Sequence, residues 1–169
     1  MDTALLAKTA AALVAPGKGL LAADESAGTC AKRFAVAGVA DTEEMRRTYR
    51  EMLFTTPAMK STISGVILHD ETLRQKHSNG MPFADYLNSI GVIPGIKVDG
   101  GTRDLAGAPG ELISDGLDGL QKRMKEYFAL GARFAKWRAV ITIGDGIPTS
   151  RCIWANAHAL ARYAAICQE

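Results

Sequence analysis

The sequence predicts an α/β fold with a parallel sheet, and three observations predict it. Short apolar runs alternate along the chain with helix-length segments whose apolar residues recur at helical spacing. The short runs, among them Gly19-Leu20-Leu21-Ala22-Ala23, Ile63-Ser64-Gly65-Val66-Ile67-Leu68 and Val92-Ile93-Pro94-Gly95-Ile96, are apolar almost throughout, as strands covered on both faces are. Charge enters such runs at their C-terminal ends, as Asp24, as Lys97 and Asp99, and as Lys136 and Arg138. Strand followed by helix, four times over, with chemically active residues at the strand ends, is the layout of a (β/α)8 barrel of the TIM barrel family. A full barrel takes about 250 residues, so 169 residues hold only the first four β/α units.

Each element has its own justification. Asp2 can cap a helix over 3–14 that Pro16-Gly17 ends, so residues 1–16 read as a flanking helix before the core of a single domain, 1–169. The first strand runs into Asp24-Glu25-Ser26-Ala27-Gly28-Thr29, where Thr29 caps a short helix stopped near Gly38, and a helix N-terminus beside hydroxyls suits a phosphate. Asp41 and Glu44 have capping-box spacing and open a charged helix to about Phe54, with Met45, Tyr49, Met52 and Leu53 as its apolar stripe and its arginines toward water. The second strand, 63–68, ends in His69-Asp70-Glu71, and a polar loop follows from Lys76 to Pro82. A short helix from Phe83 leads to the third strand, then an irregular stretch rich in Gly and Pro, then a helix over about 117–130 with Leu120, Met124 and Tyr127 on one face. The fourth strand delivers Lys136 and Arg138. Residues 140–143 form a small extra apolar piece, and Thr149 or Ser150 caps a final helix that turns Ile153, Trp154, Ala157, Leu160 and Ala164 inward.

Composition narrows the function classes. With 47% hydrophobic and 22% charged residues the chain is an ordinary globular one, and 20 basic against 18 acidic residues exclude nucleic-acid binding by bulk charge. Cys30, Cys152 and Cys167 are odd in number and have no CxxC spacing, which argues against a disulfide framework or a structural zinc. No stretch reaches the ~20 apolar residues of a membrane span, and the first residues lack a signal-peptide pattern, so the cytoplasm is the expected location and no membrane partner is expected.

Lys136 carries the sharpest chemistry. A lysine among apolar groups and near another cation sheds its proton more easily, which suits proton transfer or a Schiff base; the alternative is a strand-end lysine reaching into solvent. Arg138 offers a rigid fork for phosphate or carboxylate, or else an ordinary ion pair. Lys97 and Asp99, two residues apart on one strand face, either pair with each other or share a polar pocket. Asp24 is a general acid or base, or an acceptor in the strand-to-helix turn. His69 with Asp70 reads as structural, His77 and His158 carry no chemistry, and Cys30 reads as a small core residue. Gly17-Lys18-Gly19 lacks the spacing of a phosphate-binding P-loop.

Taken together, Gly17-Lys18-Gly19-Leu20-Leu21-Ala22-Ala23-Asp24-Glu25-Ser26, Gly65-Val66-Ile67-Leu68, Gly95-Ile96-Lys97-Val98-Asp99, Gly116-Leu117-Asp118-Gly119-Leu120 and Phe134-Ala135-Lys136-Trp137-Arg138 resemble class I fructose-bisphosphate aldolase, in order and from about residue 15 onward. The resemblance implies a (β/α)8 barrel that cleaves fructose 1,6-bisphosphate to dihydroxyacetone phosphate and glyceraldehyde 3-phosphate, through a lysine Schiff base and without a metal or other cofactor. It implies that Asp24 works on the substrate hydroxyl and that Lys136 assists carbinolamine formation and proton movement. It also implies that Lys97, Arg138, Ser26, Thr29 and Arg33 belong to a sugar-phosphate site. Homo-oligomers are expected.

The departures are equally specific. The family's Schiff-base lysine lies on the sixth strand, its acid-base glutamate on the fifth and a phosphate-binding arginine on the eighth, all beyond Glu169. Gly100 stands where the family has a lysine, and His69-Asp70 where it has an aromatic residue and a histidine. Two expectations follow: the N-terminal half of a glycolytic aldolase, inert by itself, or a non-catalytic half-barrel that pairs its open strand edges with another chain.

Overall fold

The computed structural model describes residues 1–169. The elements run α1 (Thr3–Leu13), β1 (Gly19–Ala23), α2 (Ala27–Val36), α3 (Glu43–Phe54), α4 (Met59–Thr62), β2 (Ile63–Leu68), α5 (Asp70–Arg74), α6 (Phe83–Ser89), β3 (Ile93–Lys97), β4 (Thr102–Asp104), β5 (Leu112–Ser114), α7 (Leu120–Ala129), β6 (Phe134–Lys136) and α8 (Ser150–Gln168). A four-stranded sheet has the order β1-β2-β3-β6, and β4 and β5 form a separate antiparallel pair. The chain divides into two compact units, one of residues 3–97 with 127–135, the other of residues 1–2, 98–126 and 136–169.

In the first unit, β1 pairs in parallel with β2 and β2 in parallel with β3, as the unbroken apolar runs require. Val66, Leu68 and Ile96 are fully buried. Phe54 at the end of α3 meets Phe83 at the start of α6 edge to face, with ring centroids 5.2 Å apart. Gly95 has a positional cause: a Cβ there would overlap the Phe134 ring that β6 delivers, so any larger residue on β3 requires that ring to move. The flanking helix α1 buries none of its own residues, and it is tied to β2 where the Ser64 hydroxyl donates to the Leu13 carbonyl at 2.6 Å.

Several local expectations are corrected. Ser26, not Thr29, caps α2, its hydroxyl accepting from the Thr29 amide, and Thr42, not Asp41, caps α3 in the same way. The arginines of α3 do not face water: Arg50 is 2% exposed, while Met52 of the expected apolar stripe is 58% exposed. Residues 70–74, to which the sequence assigns no element between the second strand and the polar loop, close one helical turn and a little more.

In the second unit, the stretch rich in Gly and Pro holds the β4-β5 hairpin, too short at three residues a strand to show a periodicity. The apolar piece 140–143 is not a strand. The last helix shows a different face from the expected one. Cys152, Asn156 and Ala159 are buried, whereas Ile153, Trp154 and Leu160 are 47%, 74% and 38% exposed. Asn156 explains the rotation, because its amide nitrogen donates to the Leu112 carbonyl of β5 at 3.1 Å and to the Cys152 carbonyl at 3.0 Å, which seats a hydrogen-bonded polar group where an apolar stripe was expected.

Candidate active site

The C-terminal end of β1 turns sharply into α2, and the charged residues of that turn are organised by Glu25. Its carboxylate accepts from Arg33 and lies 2.8 Å from the Arg50 guanidinium, which reaches it from α3. Arg50 also donates to the Glu25 backbone carbonyl at 2.8 Å. The Arg50 Nη1 and Glu25 Oε2 atoms are in ion-pair range but off the hydrogen-bond line. Arg33 keeps 57% of its side chain in solvent while one end is held by Glu25. Ser26 and Thr29 face each other across the first turn of α2, hydroxyl to hydroxyl at 3.2 Å. Asp24 is half-buried at the end of β1, and Lys97 is half-buried at the end of β3. Beyond β2, burial pushes the His69 imidazolium pKa down, against the pull of Glu71, so a neutral ring stands where β2 ends.

In the second unit, three stretches of chain are knitted together. The Val98 amide donates to the Lys136 carbonyl at 3.1 Å, and the Gly100 amide to the Asp115 carbonyl at 2.7 Å. Arg123 donates to the carbonyls of Val98 and Gly116 at 3.2 and 2.6 Å. Gly116, at φ +121°, lets the backbones close: a Cβ there would stand 2.8 Å from the Gly100 nitrogen. Lys136 ends β6 half-buried, and Arg138, two residues on, is exposed. Trp137 between them lies against Tyr163 of α8, ring centroids 5.5 Å apart, and burial raises the Tyr163 phenol well above its ordinary range.

The sequence reading missed one contributor to these sites and the bonding of another. Arg50 gave no signal, since its position on α3 reads as solvent-facing until its partner 25 residues away is known. Asp99, expected either to pair with Lys97 or to share a polar pocket with it, accepts from two backbone amides that its spacing does not disclose, those of Gly101 at 3.2 Å and Arg138 at 3.1 Å. No group of three or more His, Cys, Asp or Glu residues has the arrangement of a metal site, and no helix is long and apolar enough to cross a membrane.

Residues 5–169 match the family described as glycolytic, fructose-bisphosphate aldolase class-I. The chain belongs to that family. A probable fructose-bisphosphate aldolase class 1 of Xanthomonas axonopodis pv. citri is 62% identical over all 169 residues, which are 51% of its length. Cytosolic fructose-bisphosphate aldolase 6 of Arabidopsis thaliana is 57% identical over 164 residues, 97% of this chain and 46% of the relative. Among solved structures, fructose-bisphosphate aldolase of Plasmodium falciparum, crystallised in a ternary complex with TRAP and a small-molecule inhibitor, superposes with a TM-score of 0.93 at 48% identity. The match covers 98% of this chain and 48% of that one. The chain thus spans about half the length of the aldolases it matches.

Proposed function

We propose that the chain is the N-terminal half of a class I aldolase barrel, a single domain of four β/α units, built for reversible aldol cleavage of fructose 1,6-bisphosphate in glycolysis and inert when alone. The observation that carries this is the match to aldolases over the whole chain but only 51% of the relative's length, with Asp24, Lys97, Lys136 and Arg138 at the ends of predicted strands. Asp24 would take and return the proton of the substrate hydroxyl, and Lys136 would move protons at the reacting carbon. Ser26, Thr29, Arg33, Lys97 and Arg138 would hold phosphate and hydroxyl groups, by cation and by hydroxyl donor. Residues 1–169 supply no counterpart of the family's Schiff-base lysine, and binding residues cannot replace covalent catalysis. A coupled assay of fructose 1,6-bisphosphate cleavage tests the reading: no turnover is expected from 1–169 alone, and turnover abolished by Lys136→Ala would overturn the claim of inertness. Weak, salt-sensitive binding of the bisphosphate is expected by calorimetry.

A second reading, a non-catalytic half-barrel that associates through open sheet edges, is favoured by Leu20, 48% exposed on the terminal strand β1. A stable oligomer that binds no bisphosphate would select it.

A further inference from the structure

Arg138 has an unusual posture. Its side chain is exposed, yet both polar groups of its backbone are held by side chains from distant parts of the second unit. Its amide donates to Asp99 Oδ2 at 3.1 Å, and its carbonyl accepts from the Ser114 hydroxyl. Asp99 Oδ1 meanwhile accepts from the Gly101 amide at 3.2 Å, and Asp99 itself is only 8% exposed. One buried carboxylate therefore joins the chain just after β3 to the chain just after β6. A carboxylate is the residue type this requires, since it offers two acceptor oxygens and no donor, and bonds from amides to an ionised acceptor are about twice as strong as neutral ones.

We propose that Asp99 is a positioning residue for anion recognition: by holding the Arg138 and Gly101 amides on its two oxygens, it fixes the direction in which the Arg138 guanidinium is presented to a phosphate group. The inference rests on the sugar-phosphate reading above. An arginine on a loose strand end pays the ordering of its backbone each time it binds; an arginine whose peptide groups are already fixed does not. Asp99→Asn keeps the size of the side chain but turns an NH2 toward one of the two amides, so one bond is replaced by two donors facing each other.

The test uses the isotopically labelled 169-residue chain, with inorganic phosphate and fructose 1,6-bisphosphate as probes. In the wild type, the Arg138 and Gly101 amide protons should lie downfield and shift together, with one shared midpoint, as acid protonates the carboxylate. Separate midpoints, or no movement, overturn the proposal, and this readout needs no variant to fold. Asp99→Asn should lose the downfield Arg138 shift and weaken bisphosphate binding by about tenfold, the scale of one charge-assisted hydrogen bond, while its far-ultraviolet spectrum stays that of the wild type. Arg138→Ala should abolish the same increment. Wild-type affinity in Asp99→Asn overturns this inference alone. A wild-type chain that binds neither probe overturns the sugar-phosphate reading, and with it the ligand proposed here, whatever the amides do.

Discussion

Arg50 sits almost wholly out of water beside Glu25, and a buried ion deprived of its partner costs far more than the pair contributes. Arg50→Leu should destabilise the chain by about 3 kcal/mol, the low end for breaking a buried pair, because Arg33 still meets the same carboxylate. Urea unfolding checks it, and a loss under ~0.5 kcal/mol would mean the pair is a surface-type contact. Glu51 gives a second residue-scale prediction. Hydrogen bonds from Ser78 and from Arg47 hold its carboxyl at about 2, below the ordinary 4.5. The unfolded chain therefore binds more protons between those two values. The contribution of Glu51 is fully present above about pH 4.5 and is lost as the pH falls toward 2. Glu51→Gln should flatten the acid limb of the urea midpoint between those limits, and an unchanged slope would assign that limb to other carboxyls. These two residues show what the sequence could not disclose. Strand-end charges were legible because they interrupt apolar runs, but Arg50 and Glu51 lie on a helix already full of charge, and only partners at 25 and 27 residues' distance decide which charges are buried.

At the scale of the element, α8 is the most informative. Its N-terminus is fixed by Thr149, whose amide and hydroxyl both donate to Glu111 at 2.6 Å and whose hydroxyl oxygen accepts from the Cys152 amide at 3.3 Å. Glu111 is 1% exposed, and the Thr149 hydroxyl holds its carboxyl below the ordinary range. Thr149→Val should cost about 1 kcal/mol, as lost N-caps do, and fray the first turn of α8 in amide exchange. Unchanged protection at Cys152 would show that Glu111 holds the turn without the hydroxyl. For β3, Gly95→Ala should cost about 1–3 kcal/mol, the range for overpacking, because Phe134 occupies the space of the new methyl. Thermal melting of that variant decides it, and a neutral result would mean the ring can swing aside. Element existence was legible wherever a run was long or unbroken: β2 and α3 end where the apolar pattern ends. The orientation of α8 was not, because Asn156 and Cys152 turn inward toward β5 and a helical wheel counts Asn156 as polar and therefore outward.

At the scale of the whole chain, the strand order leaves β1 and β6 each with a neighbour on one side only within the four-stranded sheet. β1 is also the poorly covered strand: Gly19, Leu20 and Ala22 are exposed and only Ala23 is buried, whereas β2 and β3 bury most of their residues. β1 lacks the charges and prolines by which strand edges are ordinarily blunted, and under the half-barrel reading pairing with another chain is the expected outcome. The 18.0 kDa chain should therefore elute in size exclusion with a concentration-dependent mass above that of a monomer. Leu20→Lys, which places a charge on that strand, should return it toward the monomer without lowering its helix content. The complementary half of a class I aldolase, added in trans, should compete with self-association and sharpen the near-ultraviolet signal of Trp137, whose ring already rests on Tyr163. A wild-type chain that stays monomeric at every concentration, melts cooperatively and ignores the added half would show that β1 is adequately covered within these 169 residues, and the half-barrel reading would fall with it.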